Sequence, residues 1–164
     1  MVVKYVIAGT SPPAWFTKSI HILLKEAVQT AWPTVTVDPP VANIRFTNTW
    51  FSDYADIEIV FLHSVDDMSL NRRSVDWHRV PTTTFNDIHL FVRGDSVDEE
   101  PALLHKTKAA LESVIELNKQ TLIPHTVITL ESSDYVPERD NQQNVWHWLY
   151  SCSIRYHKVI TNVV

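Results

Sequence analysis

Glycine is nearly absent. The 164 residues contain two, Gly9 and Gly94, far apart from each other. Glycine-rich phosphate loops, dinucleotide fingerprints and the G-x-S-x-G nucleophile elbow need glycine where the backbone bends sharply or approaches a ligand. Enzymes that depend on those motifs are excluded. Cysteine is scarcer still. The single Cys152 has no internal disulfide partner, and it reads as a small buried apolar residue rather than a reactive thiol. One cysteine suits a reducing compartment. Basic charge is in deficit, with 14 Lys and Arg against 19 Asp and Glu, a net −5. That balance argues against a nucleic-acid binder working by bulk charge. No apolar run approaches the roughly 20 residues of a membrane-spanning helix. The segment Met1–Gly9 is apolar but too brief for a signal peptide. With Pro12 and Pro13 behind it, it reads as an N-terminal strand or arm.

What is present is ordinary globular material: 45% hydrophobic and 20% charged residues, in a length that suits one domain, residues 1–164, with a sizeable core. The clearest pattern is strand–helix–strand from Phe85 to Lys158. In Ile88-His89-Leu90-Phe91-Val92-Arg93, the residues Ile88, Leu90 and Val92 share one face, and Gly94 ends the run. Ser96 three residues before Glu99 gives a helix-start signal, with Glu100 adding negative charge and Pro101 tolerable in the first turn. Leu103, Leu104, Thr107, Leu111, Val114, Ile115 and Asn118 then recur at helical spacing. Val127–Leu130 is a short apolar run, and Ser132–Asn144 reads as a polar loop. Trp146, Trp148, Tyr150, Cys152, Ile154 and Tyr156 share one face of a long strand. His147, Ser151, Ser153, Arg155 and His157 lie on the other, with Leu149 the apolar exception.

Upstream, Thr10 or Ser11 can cap a helix beginning near Pro12-Pro13, whose stripe is Phe16, Ile20, Leu23, Leu24, Ala27, Val28 and Ala31. Trp32-Pro33 ends it. Thr34–Val37 and Asn43–Phe46 are short β-prone runs. Trp50, Phe51 and Tyr54 form an aromatic cluster that reads equally as a core plug or a contact surface. Ala55–His63 alternates as a strand, with Ile57, Ile59 and Phe61 on one face. Asp66–Ser74 reads as an exposed loop, and Val75–Val80 as a further strand broken by Pro81. These make a long hairpin with its tip at Asp66–Arg73.

Eight histidines invite a metal hypothesis, but no His-x-x-x-His or Cys-x-x-Cys spacing supports one. His63 and His89 could meet across strands. His147 and His157, ten residues apart along one strand, are roughly 33 Å apart. A two-histidine phosphoesterase fails on geometry, since His63-Ser64 and His125-Thr126 put the hydroxyl on the opposite strand face. The carboxylates Asp66-Asp67, Asp98-Glu99-Glu100 and Glu138 fall in loop or cap positions, where solvation or capping explains them. The ladder Trp146, Trp148, Tyr150 could stack bases, but a continuous apolar face of this kind reads as core. No catalytic residues, cofactor or metal are expected, and the chain is not expected to be an enzyme.

In the order of these elements the chain resembles the tail terminator (tail completion) proteins of tailed phages and related viruses. The likeness runs from the helix Phe16–Trp32 and its Trp/Pro break, through the hairpin ending in Ile88–Gly94 and the helix Glu99–Asn118, to the strand Trp146–Tyr156. It implies an α+β fold: a mixed, mainly antiparallel sheet with a long hairpin, packed against two helices. It also implies a virion protein made in the host cytoplasm, forming a homohexameric ring at the head-proximal end of the tail. Its partners would be its own copies, the tail tube protein and the head–tail connector proteins. No membrane is involved, and nucleic acid only as DNA passing through the ring lumen. Interface candidates are the tip residues Asp66, Asp67, Arg72 and Arg73, the aromatics Trp50 and Phe51, and Asp134 and Arg139 of the second polar segment. The alternative is a small nucleic-acid- or peptide-binding α+β module using Trp77, Arg79, Phe91 and Arg93. A metal-dependent hydrolase built on the histidines is a third reading.

Overall fold

The computed structural model describes residues 2–7, 18–34, 43–50, 55–68, 79–96, 98–119, 121–124, 126–137 and 144–163. In chain order the elements are β1 (Val2–Ile7), α1 (Ile20–Ala31), a 3-10 turn (Trp32–Thr34), β2 (Ile44–Thr47), β3 (Ile57–Met68), β4 (Arg79–Arg93), α2 (Ala102–Asn118), β5 (Val127–Val136) and β6 (Val145–Val163). The fold is α+β, with a mixed, mainly antiparallel sheet packed against two helices. Its path runs β1-β6-β4-β3-β2, with β5 also pairing β6. Only β2–β3 is parallel among the described pairs.

β6 organises the sheet. Its 19 residues pair with β4 along one side, from Val145 opposite Arg93 to Val159 opposite Arg79. The other side is shared end to end. β5 covers His147–Arg155, and β1 covers Lys158–Val163. The expected N-terminal strand is therefore present, paired to the far end of the final strand.

Period-two alternation in β3, β4 and β6 sorts their side chains to two faces. Ile57, Ile59, Phe61, Ile88, Leu90, Val92, Tyr150, Cys152 and Ile154 are buried in one core with Leu24 and Val28 of α1 and Leu104, Leu111, Val114 and Ile115 of α2. Trp146 and Trp148 pack half-buried against it, which settles that ladder as core. Both helical stripes are amphipathic as read, except that Leu103 is exposed. Asn48 ties the layers together, its Nδ2 donating to the carbonyls of His21 (3.1 Å) and Phe61 (3.1 Å).

Several expectations are corrected. Asp66 and Asp67 are not in a loop. β3 continues to Met68, with Asp66 opposite Thr84 and Asp67 opposite Thr83, across a register shift between His63 and Val65. The polar composition hid a strand whose backbone is satisfied by threonines of β4, and the shift broke the alternation that would have shown it. Val80 and Pro81 do not break a strand either, because β4 runs through both. Pro81 itself sits in the ladder, opposite His157 of β6. Asp134 also lies in a strand. β5 extends through Ser132–Val136 after a second register shift at Glu131, whose carboxylate accepts a hydrogen bond from Ser153 Oγ.

The helix-start signal at Ser96 is not a cap. α2 begins at Ala102 behind Pro101, and Ser96 Oγ instead accepts from the Asp98 N–H at 3.0 Å. Glu100, preceding a proline, is biased away from helix, which delays the start. α1 begins at Ile20 behind Ser19, whose backbone is extended, so the helix does not run back to Pro12-Pro13 as expected; Thr10, Ser11 and Phe16 lie outside the described residues, as does the β-prone run beyond Thr34.

Candidate functional site

The face of the sheet away from the helices carries a row of aromatic and imidazole rings. The ladder aligns Glu58 of β3, Phe91 of β4 and His147 of β6 directly across the sheet. His89 lies diagonally from His147, since its own partner on β6 is Leu149. Directly paired Phe91 and His147 stack with ring centroids 4.2 Å apart and planes at 22°. His89 Nδ1 and His147 Nε2 are 2.8 Å apart, a hydrogen bond whose donor is set by the tautomers. Trp50, beyond β2, meets His89 edge-on at 4.8 Å and Phe91 at 6.4 Å. Val60, Phe91 and Val145 are buried here, with Leu62 against them. This face therefore carries a small apolar core of its own.

Electrostatics keeps the row neutral. Burial pushes the His89 imidazole below its ordinary range, with Asp87 opposing the shift. His147, 8% exposed, is pushed down to about 4, first by burial and then by the neighbouring His89. Beside the row, Glu58 is fully buried. Its Oε1 accepts from the Ala55 N–H at 2.9 Å and contacts the Arg45 guanidinium, its partner across the parallel pair. Its Oε2 has no hydrogen-bond partner among the described residues.

A second aromatic group sits at the margin of the helix face. Tyr135 of β5 lies between Trp146 (5.7 Å) and Trp148 (6.1 Å), and Lys108 Nζ stands 3.3 Å over the Trp148 ring. Trp146 Nε1 donates to the Ser96 carbonyl at 3.2 Å.

Of the residues expected at an interface, Trp50, Asp66 and Asp134 are described with their side chains, and Asp66 lies away from the other two. Trp50 is 60% exposed at the rim of the ring row. Asp134 is exposed on β5 opposite Leu149, at the level of His89. Asp66 is exposed near the far end of β3, where its Oδ1 lies 3.1 Å from His63 Nε2. It is six residues along the strand from Val60, which faces His89, a separation of roughly 20 Å. Asp67 is placed on β3 by its backbone. Phe51, Arg72, Arg73 and Arg139 lie outside the described residues.

His63 and His89 do not meet. His63 lies beside His21 of α1, with centroids 6.0 Å apart, while His89 turns to the opposite face. The pair that does form, His89 with His147, escaped the sequence because it depends on the β4–β6 register. The exposed platform expected at Phe91 is also absent, since Phe91 is 3% exposed and stacked on His147. Arg93 is exposed, 4.0 Å from Asp56 Oδ1, and Trp77 lies outside the described residues. Among the described residues, no three His, Cys, Asp or Glu side chains converge as metal ligands.

No protein-family model matches the chain. No curated protein matches it. Among solved structures, the chain is similar to the sheath/tube terminator in a cryo-EM structure of an extracellular contractile injection system, PVC, in the extended state. The identity is 12% and the TM-score 0.39, over 89% of this chain and 58% of that one. The chain thus spans less than two thirds of the length of the protein it is similar to.

Proposed function

We propose that this chain is a structural protein without catalytic activity that terminates a phage-like tail tube. In this reading six copies close into a ring at the head-proximal end of the tail, meeting the tube protein on one side and head–tail connector proteins on the other. The observation that carries the reading is the pair of unlike sheet edges. A closed ring needs two different flanks that fit each other by rotation. Among the described residues, one edge is the four-residue parallel strand β2, and the other is β5 and β1 laid end to end along β6. β5 exposes Glu131 and Asp134 along with Ser132 and Ser133. Two helices brace the sheet from one face, giving a body stiff enough to repeat around an axis. The order of these elements is also the one that carries the resemblance to tail terminators.

The test is light scattering and negative-stain microscopy on the purified full chain over a wide concentration range, alone and with the tail tube protein. Closed six-fold rings, free or seated on tube ends, are the expected result. A chain that stays monomeric at every concentration and is absent from tube ends overturns the reading. Reversing the charges at Arg72 and Arg73 is expected to weaken assembly while circular dichroism stays unchanged. Undiminished assembly removes that segment from the interface.

A further inference from the structure

We infer that His89 and His147 form an acid-sensitive latch that seats Trp50 against the helix-free face of the sheet. The inference is independent of the ring reading, since every residue in it belongs to one copy of the chain.

The argument starts from proton counting. Two imidazole nitrogens 2.8 Å apart, Nδ1 of His89 and Nε2 of His147, can share only one hydrogen between them. With both rings neutral, one nitrogen donates and the other accepts. A first added proton is tolerated, because it can sit on an outward nitrogen, His89 Nε2 or His147 Nδ1, while the contact keeps its single hydrogen. A second proton has nowhere to go except the accepting nitrogen. Both facing nitrogens then become donors on two cations, and the contact breaks.

The surroundings decide when that happens. His147 is stacked under Phe91 and shielded from water, so its charged form is disfavoured. Asp87, two residues from His89 on the same face of β4, favours charge on His89. From β3, Glu58 lies on the far side of Phe91, engaged by Arg45 of β2. Arg93 of β4, two residues beyond Phe91 on this face, disfavours further positive charge. On β5, Val136 is the direct neighbour of His147, and the nearest carboxylate on this face is exposed Asp134. The first proton therefore goes to His89, and His147 is the acceptor that fails last.

Trp50 is what the latch holds. Its indole is mostly exposed, and its described ring contacts are with His89 and Phe91, both members of the row. Breaking the His89–His147 contact removes the platform beneath it and opens Phe91, Val60 and Val145 to solvent.

The experiment is NMR on the full chain carrying 15N in histidine rings and tryptophan indoles, from pH 8 to pH 4. Signals are assigned with Trp50→Phe, His89→Phe and His147→Phe. The ring nitrogens of His147 are expected to stay neutral at pH 5.5 and to change between about pH 5 and 4. The Trp50 indole N–H is expected to shift with the same midpoint. In His89→Phe, which keeps a ring under Trp50 without the second titrating group, that acid shift of Trp50 should disappear. Titration of His147 between pH 6 and 7 overturns the latch, as does a Trp50 signal unmoved when His147 titrates. Global unfolding at the same acid midpoint in wild type and His89→Phe overturns it too, because the acid sensitivity then has another source.

Discussion

The phenolic hydroxyl of Tyr150 donates a 2.7 Å hydrogen bond to Oε1 of Glu112, joining β6 to α2. Tyr150 is buried in the main core, so its hydroxyl needs a partner there. Burial and the carboxylate both hold the phenol well above its ordinary range, so it acts as a donor at any ordinary pH. Removing the hydroxyl in Tyr150→Phe is expected to cost about 1.5–3 kcal/mol in urea unfolding, the usual worth of a bond to a charged acceptor. Glu112→Gln keeps an acceptor oxygen and should cost less. A larger loss in Glu112→Gln than in Tyr150→Phe would show that the carboxylate has a more important partner.

Glu58 and Arg45 pose the opposite problem. The Glu58 carboxylate is fully buried while the Arg45 side chain reaches solvent. Arg45→Ala leaves that carboxylate with the Ala55 N–H and no cation in contact among the described residues. The expected destabilisation is about 2–4 kcal/mol, more than any single surface ion pair contributes. The double variant Arg45→Met, Glu58→Leu removes both charges and should recover most of it. If the double variant is as unstable as Arg45→Ala, the pair is needed for more than mutual neutralisation, such as fixing the parallel β2–β3 register.

Much of this architecture was legible from periodicity. Ile88–Val92 and Trp146–Tyr156 alternate without interruption and lie where the alternation places them, and the α2 stripe from Leu104 to Ile115 is buried as its spacing requires. What escaped was governed by pairing rather than by composition. Asp66-Asp67 and Ser132–Asp134 are polar and turn-like, yet each extends a strand past a register shift, because a neighbouring strand supplies backbone partners. The ring row escaped for a related reason. His89 and His147 are separated by 58 positions, and only the register of β4 on β6 brings their nitrogens together. The sequence marks Trp50 as an aromatic in a polar stretch and leaves open whether it plugs a core or faces a partner. It is mostly exposed and rests on His89.

Gly94 offers a sharper test of close packing. A Cβ there would lie 3.1 Å from Trp146 Nε1, 3.3 Å from its Cδ1 and 3.4 Å from Pro101 Cγ. The indole N–H is engaged with the Ser96 carbonyl, and the Gly94 N–H bonds the Asn144 carbonyl at 2.8 Å. Asn144, at φ 55°, occupies the left-handed region just before β6. Gly94→Ala must therefore displace Trp146 by a few tenths of an ångström at the junction where β4 ends and β6 begins. A loss of about 1 kcal/mol is expected, with a changed Trp146 near-UV signal. Unchanged stability would mean that the Trp146 ring relaxes freely.

The ring row also makes the protein's stability depend on pH in a definable direction. A histidine has an ordinary value near 6.5 in the unfolded chain, and His147 is pushed down to about 4 in the folded one. Between those values the unfolded state binds more protons, so stability rises with pH across the window. The contribution is fully present above pH 6.5 and is lost as pH falls from there towards 4. A tenfold difference in proton affinity corresponds to about 1.4 kcal/mol, and the full shift sets an upper bound that relaxation and water entry at the ring edge reduce to roughly 2 kcal/mol. His21 and His89 are lowered by burial as well and add to the same slope. Urea unfolding of wild type and His147→Phe at pH 7.5, 6.0 and 5.0 isolates the His147 share. The wild type should lose stability faster than the variant between the first and last of these values. Parallel losses in the two proteins would assign the acid sensitivity to other groups and leave His147 as a packing residue alone.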